Sequence, residues 1–238
     1  MNHRMKSGAL TLSLFALAAC SNTAGLESSS EESLTLDVAM IAADATIDEF
    51  GDMGQLFGGE RQPHGRTRTA TFYEDDMVQD ALDPLTTDSI HLVVASSHEF
   101  SRDTWTGTGT RSRDHWITGL EGEEETRTVN GTGNASMTRS QHTDEHGTRS
   151  YSMSSTSLMV DVVHPVPRTK NSWPLSGTIT RDVTINVING PDGDVTKTRT
   201  VVIIFDGTDM PDMTVDGEPF EVDMSARSGR RPFRRRGR

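Results

Sequence analysis

The sequence predicts a mainly β protein, in which an antiparallel meander sheet of about nine strands carries one N-terminal amphipathic helix. Threonine and glycine are abundant in the 238-residue chain and aromatic residues make up only 5% of it, a composition that favours strands and turns. Apolar and polar residues alternate with a period of two through much of residues 66–224, and short clusters of Asn, Asp and Gly separate the alternating segments. Consecutive hairpins imply an antiparallel meander. The pattern leaves three arrangements open: an open curved sheet, a sandwich and a barrel.

The helix is predicted from Ser33 onward by apolar residues that recur every three or four positions. Five of them fall on one face, at spacings of four, three, four and three: Leu36, Met40, Ala43, Ile47 and Phe50. Four acidic residues, Glu49 among them, fall largely off that stripe, and Gly51 begins a glycine-containing stretch that ends the helix. We therefore expect the apolar stripe to pack on the sheet.

The strands are predicted as a series of hairpins. Residues 126–141 and 147–163 form the longest one, and their Ser/Thr-rich alternation indicates a face that is open to water. Residues 189–194 concentrate turn formers, and Asp216-Gly217 is a strong hairpin dipeptide. Between these two turns, the continuous apolar run at residues 201–205 predicts a strand that is buried on both faces.

The first twenty residues have the pattern of an export signal. Arg4 and Lys6 precede an apolar run at residues 9–19, and small residues precede Cys20. At 1.5 Å per residue the run spans about 16 Å, roughly half the hydrocarbon thickness of a bilayer, so we do not expect it to form a stable transmembrane helix.

Leu17-Ala18-Ala19-Cys20 resembles the lipobox of bacterial lipoproteins. The resemblance implies that the Cys20 thiol is lipidated, that cleavage makes Cys20 the new N-terminus, and that the protein is exported and held at a membrane. Ser21 follows the cysteine where a retention signal would be Asp, which favours the outer membrane if the host has one. In general character the chain is similar to β-rich exported lipoproteins of bacteria, and this similarity implies no particular activity.

Four segments follow from these patterns. Residues 1–19 are the signal peptide, and residues 20–32 are polar and small and form a flexible tether after the lipidated cysteine. Residues 33–226 form a single domain of helix and antiparallel sheet. Residues 227–238 contain seven arginines and are expected to be a disordered tail. Because Cys20 is the only cysteine, the domain has no internal disulfide.

The distribution of charge limits the partners. Removal of residues 1–19 takes away Arg4 and Lys6 and no acid, so the formal charge changes from −12 to −14. An acidic body argues against nucleic acid as a partner. The tail is the exception, and its arginines are candidates for contact with anionic lipid or another anionic surface: Arg230, Arg231, Arg234, Arg235 and Arg236.

Sequence motifs that would indicate catalysis are mostly absent. The chain has no Gly-x-Ser-x-Gly elbow and no Walker-type loop, and its single cysteine is assigned to lipidation. We expect no cofactor and no metal site, and the remaining candidates for loosely bound calcium are Asp192 and Asp194 in a turn. His142 and His146 flank two carboxylates, but they are predicted to be solvated residues of a hairpin tip.

The favoured function is therefore a non-enzymatic binding or structural module of the cell envelope. In this interpretation the Ser/Thr-rich strand faces over residues 126–157 contact an envelope polymer or another envelope protein. One alternative is a lipid carrier or chaperone, a curved half-barrel with the helix as its lid. A second alternative is a hydrolase whose Asp, Glu and His residues are dispersed along the chain.

Substitution of the lipidation site tests the anchor. In its own host, the Cys20→Ala variant should lose the acyl modification and leave the membrane fraction, because no other hydrophobic anchor is predicted. Fractionation, with mass spectrometry of the N-terminal peptide, measures both effects, and Ser21→Ala is the matched control. A Cys20→Ala variant that stays with the membranes would contradict the prediction.

Overall fold

The fold is one open antiparallel sheet of eleven strands with one helix on one of its faces, which confirms the predicted fold class and decides between its three arrangements. The computed structural model describes residues 31–54, 65–102, 105–122, 124–143, 147–167, 169, 172–190, 193–226 and 233–235. The sheet order is β2-β1-β3 followed by β4 to β11 in sequence. The count exceeds the predicted nine, and β2 and β11 are too short, at three residues each, to be found by alternation.

The elements in chain order are α1 Glu31–Gly54, β1 Arg66–Glu74, β2 Met77–Gln79, β3 Ser89–Arg102, β4 Trp105–Thr118, β5 Thr126–Thr143, β6 Gly147–Pro165, β7 Ser176–Gly190, β8 Gly193–Ile204, β9 Asp212–Val215, β10 Glu218–Val222 and β11 Phe233–Arg235. The predicted long hairpin is β5–β6, and the turn dipeptide Asp216-Gly217 joins β9 to β10. Both turn residues have positive φ, 48° and 85°, as a tight hairpin turn of this kind requires.

Alternation divides the sheet into two faces. We call the face that α1 covers the inner face; it includes Val94, Arg113, Arg181 and Val201. The opposite face, with intervening residues such as Thr110, is the outer face. No element of the described chain packs over the outer face.

The prediction that residues 201–205 are buried on both faces is wrong. Val201, Ile203 and Phe205 point inward and are buried, whereas Ile204 points outward and is 54% exposed. A continuous apolar run is typical of a strand between two layers, but no described element covers the outer face of this strand. The outward apolar residues of β8 therefore remain partly in water.

The helix is present, and Ala43 and Phe50 of the predicted stripe are buried, but the buried face is rotated by part of a turn from that stripe. The centre of the contact consists of small residues, Ala39, Ala42 and Ala43, which allow the helix to approach the sheet closely. Leu36 is only partly buried. Glu49, which the pattern places largely off the stripe, is 3% exposed.

The prediction of a disordered tail is also wrong for Phe233–Arg235. These residues form β11, which pairs with β10 at the edge of the sheet. Phe233 is buried against Phe220, with ring centroids 5.8 Å apart. Arg234 pairs with Glu221 and Arg235 with Glu218. The arginine-rich composition favours disorder. The burial of Phe233 and the two ion pairs with β10 are nevertheless enough to bind this short segment to the sheet.

A buried ion cluster joins α1 to the middle of the sheet. Arg113, Gly133, Ser157 and Arg181 occupy neighbouring positions across β4, β5, β6 and β7 on the inner face. The carboxylate of Glu49 lies between the two arginines: Arg113 Nε is 3.6 Å from its Oε1, and Arg181 Nη2 contacts its Oε2. All three side chains are almost fully buried, so each charge depends on the others for compensation.

Glycine at position 133 leaves room for the Ser157 hydroxyl group beside this carboxylate. A Cβ atom there would lie 2.6 Å from Ser157 Oγ and 3.6 Å from Glu49 Oε1. Arg181 Nη2 also reaches Thr46 Oγ1 at 3.4 Å, and Thr46 in turn donates to the carbonyl of Ala42 at 2.8 Å. The cluster therefore fixes the Glu49 end of α1 over the β4–β7 strands, whereas the helix backbone lies closest to β8, β9 and β11.

Two neighbouring isoleucines test the assignment of the faces. Ile203→Asp should lower the free energy of unfolding by about 4 kcal/mol or more, because it places an unpaired carboxylate in the core. Ile204→Asp, one residue further on the same strand, should change it by no more than about 1 kcal/mol. Urea denaturation followed by circular dichroism measures both. Equal effects of the two substitutions would contradict the assignment.

The ion cluster gives a second prediction. Glu49→Leu should cost about 3–5 kcal/mol of stability, because it leaves two arginines buried without an anion. The triple variant Glu49→Leu, Arg113→Met, Arg181→Met should recover most of that loss, because no charge then remains buried. Asp44→Leu, at an exposed acid on the same helix, is the control and should cost at most about 1 kcal/mol. A Glu49→Leu variant as stable as the control would show that the cluster does not hold the helix.

Candidate functional site

The ion cluster under α1 contains most of the buried charge but offers no entrance to a ligand. The space left between the helix and the sheet at Glu49 is about 10 Å³, which is at most enough for one water molecule. It is lined by polar groups, among them Arg111, Asn134 and Ser155. This cluster therefore has the properties of a structural connection.

His115 lies beside the cluster on β4 and is 2% exposed. Burial lowers the pKa of His115 below its ordinary value. The positive charges of Arg113 and Arg181 act in the same direction, whereas Glu49 and Asp114 partly oppose the shift. The imidazole is thus neutral at pH 7 and adds no further positive charge beside the two buried arginines.

The outer face has a different chemistry, because its central strands present rows of hydroxyl groups. Threonine and serine hydroxyls pair across strands in four places: Thr106 with Ser140 at 3.2 Å, Thr108 with Thr138 at 3.0 Å, Thr110 with Ser136 at 2.8 Å and Thr184 with Thr198 at 2.9 Å. A hydroxyl has one donor and two acceptor sites, so each pair leaves one O–H and several lone pairs for a ligand. The face therefore offers many hydrogen-bonding groups at regular spacing.

Two open depressions lie along this face. The first, of about 790 Å³, is bordered by residues such as Thr108, Thr138 and Asn186. The second, of about 640 Å³, is bordered by residues such as Thr110, Asn134 and Asp182. Both cross several strands, and their borders consist mainly of outer-face hydroxyl and amide side chains. They form an elongated polar surface that is wide enough for an extended ligand.

An aromatic cluster lies further along the same face, near the far end of β4. The imidazole of His91 stacks on the indole of Trp116, with centroids 4.7 Å apart and planes 13° apart. Tyr73 lies against the same indole at 5.2 Å and 40°. His91 Nε2 is 2.7 Å from Asp114 Oδ1, which fixes the imidazole. Trp116 nevertheless remains 42% exposed.

Charge is distributed unequally between the two faces. In strands β1 to β8, every lysine and arginine whose side chain the structure describes belongs to the inner face: Arg66, Arg68, Arg111, Arg113, Arg127, Arg139, Arg149, Arg181, Lys197 and Arg199. The outer face of these strands carries acids instead, among them Glu99, Asp114 and Asp182. The outer face is therefore hydroxyl-rich and weakly acidic.

The structure places only some of the site residues predicted from the sequence. Cys20, Asp192 and the imidazoles of His142 and His146 lie outside the residues or side chains that it describes. Asp194 Oδ1 accepts a hydrogen bond from the backbone N–H of Asn189 at 2.8 Å and so stabilises the β7–β8 turn. The two potential calcium ligands are thus not observed together.

The structure likewise describes only some of the predicted arginines of the tail. Arg230, Arg231 and Arg236 lie outside the described residues. Arg234 and Arg235 are paired with glutamates of β10. Contact of the tail with an anionic surface stays a prediction.

Two features are absent from the described residues, a metal-binding cluster and a membrane-spanning helix. No group of three or more His, Cys, Asp or Glu side chains in that part of the chain is arranged to hold a metal ion. Nor does any helix within it combine the length and apolar character needed to span a bilayer.

Sequence reasoning missed the aromatic cluster. Its three rings come from β1, β3 and β4 and are brought together by strand register, in which His91 is directly opposite Trp116. The available signal was that Tyr73, His91 and Trp116 each occupy the polar phase of an alternating strand. A large aromatic ring in that phase is an exposed ring, and such rings are frequent in binding surfaces.

No protein-family model, curated protein or solved structure matches the chain. Function is therefore inferred from the residues and their geometry alone.

Proposed function

We propose that the protein is a lipid-anchored module of the bacterial cell envelope that binds an extended envelope polymer along its outer sheet face and catalyses no reaction. The lipobox-like motif at residues 17–20 supports the anchor and the location. The hydroxyl-rich outer face, left uncovered by every described element, is the observation that supports the binding surface.

A polymer fits this surface better than a small molecule does. The polar groups line two open depressions that cross β3 to β7, and neither depression is an enclosed pocket of the kind that buries a small ligand. A long ligand that makes many single hydrogen bonds gains affinity from their number. The rigid sheet keeps the hydroxyl groups in place before binding, which lowers the entropic cost of association.

The two alternative functions have less support. A lipid carrier needs an apolar cavity beneath its lid, whereas the space beneath α1 is about 10 Å³ and is lined largely by charged and polar groups. A hydrolase needs acids and bases that converge in a cleft. The His91–Asp114 pair is the closest approach to this in the described chain, and its imidazole is engaged with Trp116. The polymer-binding module is therefore favoured.

Removal of one hydroxyl pair tests the binding surface. The double variant Thr110→Leu, Ser136→Leu should lose most of the binding of wild-type protein to isolated sacculi, the insoluble peptidoglycan of the cell wall, because it removes a cross-strand pair at the second depression. Co-sedimentation of the full chain in detergent measures the bound fraction, and circular dichroism confirms folding.

The matched control is Thr180→Leu, Thr214→Leu, which removes two hydroxyl groups of the outer face that border neither depression. The control should bind as wild type does. If wild-type protein does not sediment with sacculi, the proposed function fails for this polymer. If both double variants bind equally well, the outer-face depressions are not the binding surface.

A further inference from the structure

Trp116 is a large apolar ring that is exposed on the outer face near the end of β4, and its surroundings keep it there. On β4 it alternates with inner-face His115 and Ile117, so it cannot turn into the core without a shift of register. His91 supports it from β3 and Tyr73 from β1, and both contacts are made by rings. The indole is thus held in a fixed orientation while it remains 42% exposed.

Two polar side chains beside the indole, those of Asp114 and Asn130, can form hydrogen bonds. Asp114 lies two residues before Trp116 on the same face, and its carboxylate is more than half exposed although it contacts His91. Asn130 is directly opposite Trp116 on β5; its Oδ1 accepts a hydrogen bond from the backbone N–H of Asp161 on β6 at 2.8 Å, so its amide N–H groups are the ones that remain for a ligand. An exposed ring bordered by a carboxylate and an amide offers one apolar surface and several polar partners at its rim.

This combination matches the chemistry of a pyranose ring. A pyranose presents C–H groups on its faces and hydroxyl groups around its rim, so it stacks on an aromatic ring while its rim forms hydrogen bonds. Peptide and lipid chains do not have this flat, amphipathic shape. Tyrosine and tryptophan are suited to such contacts because they lose little conformational entropy on binding.

The aromatic cluster is continuous with the hydroxyl rows. Thr106, Thr108, Thr110, Ser112, Asp114 and Trp116 follow one another on the outer face of β4. At about 3.3 Å per residue, the distance from Thr106 to Trp116 is about 33 Å. A chain of several sugar units that starts on Trp116 would therefore extend over the border of both depressions.

Charge selects among the possible polysaccharides. The described outer face of β1 to β8 carries no lysine or arginine, whereas Asp114, Asp182 and Glu99 lie along it. Phosphate- or carboxylate-rich polymers would be repelled by these acids, and the arginines that border the depressions, Arg111 and Arg139, belong to the inner face. The surface is complementary to an uncharged chain.

From these observations we infer that the ligand is a neutral polysaccharide strand, and that Trp116, with His91 and Tyr73 behind it, is the stacking platform for one of its pyranose rings. This inference rests on the proposed function, to which it adds the chemical class of the ligand and a specific binding residue.

Isothermal titration of the full-length protein tests it, with hexa-N-acetylchitohexaose (chitohexaose below), a neutral β-1,4-linked hexamer of N-acetylglucosamine, and with an anionic hexamer of galacturonic acid as probes. Wild-type protein should bind chitohexaose and not the anionic hexamer. Trp116→Ala should weaken the binding of chitohexaose by about tenfold or more. Ile204→Ala is the matched control, because Ile204 is an exposed apolar residue of the same face that lies four strands away, at about 19 Å.

Each outcome has a distinct meaning. If Trp116→Ala binds chitohexaose as wild type does, the platform is wrong even though the ligand class is right. If the protein prefers the anionic hexamer, or binds sacculi but neither hexamer, the neutral glycan is wrong while polymer binding stands. If the protein binds neither the sacculi nor the hexamers, the proposed function itself fails. Tenfold weakening in both Trp116→Ala and Ile204→Ala would show a general effect on the fold and would also overturn the platform.

Discussion

The position of helix α1 on the sheet depends on the salt bridges that Glu49 forms with Arg113 and Arg181. A one-layer sheet buries apolar side chains only where something covers it, and α1 is the main described element that does so. Its central contact residues are alanines, which bury little area each, so the ion cluster provides the specific connection. Two arginines on β4 and β7 reach over Gly133 and Ser157 to one carboxylate, an arrangement that fits only one lateral position of the helix.

The same constraint explains the chemistry of the outer face. The helix is acidic throughout and has no basic residue, and the described lysines and arginines of β1 to β8 lie on the face towards it. The outer face is left with hydroxyl groups, amides, a few acids and exposed apolar side chains, among them Trp116, Leu158 and Ile204. Attraction between helix and sheet on one side therefore leaves an uncharged or weakly acidic surface on the other. The arginine-rich tail suggests an anionic partner for the protein. The charge of the outer face instead favours the neutral polysaccharide that we propose for it.

The fold was predictable to the level of its class. Strand alternation, the β5–β6 hairpin and the Asp216-Gly217 turn are local patterns, and all three are present in the structure. The errors have a common origin in packing between distant segments. Ile204 is exposed because no described element covers the outer face of its strand, and Phe233 is ordered because β10 supplies a groove and two glutamates. None of these partners is encoded in the neighbouring sequence.

The sequence by itself determined the mainly β class, the N-terminal helix and the hydroxyl-rich alternation, because each of these depends on residues a few positions apart; the lipobox-like motif at residues 17–20 is a local pattern of the same kind. Tertiary structure alone decided that the sheet stays open, that Glu49 enters the core, and that Tyr73, His91 and Trp116 meet on one face. The physical reason is strand register: side chains from different strands become neighbours only when the backbone hydrogen bonds align them, and a shift of one residue would turn Trp116 from the solvent into the core.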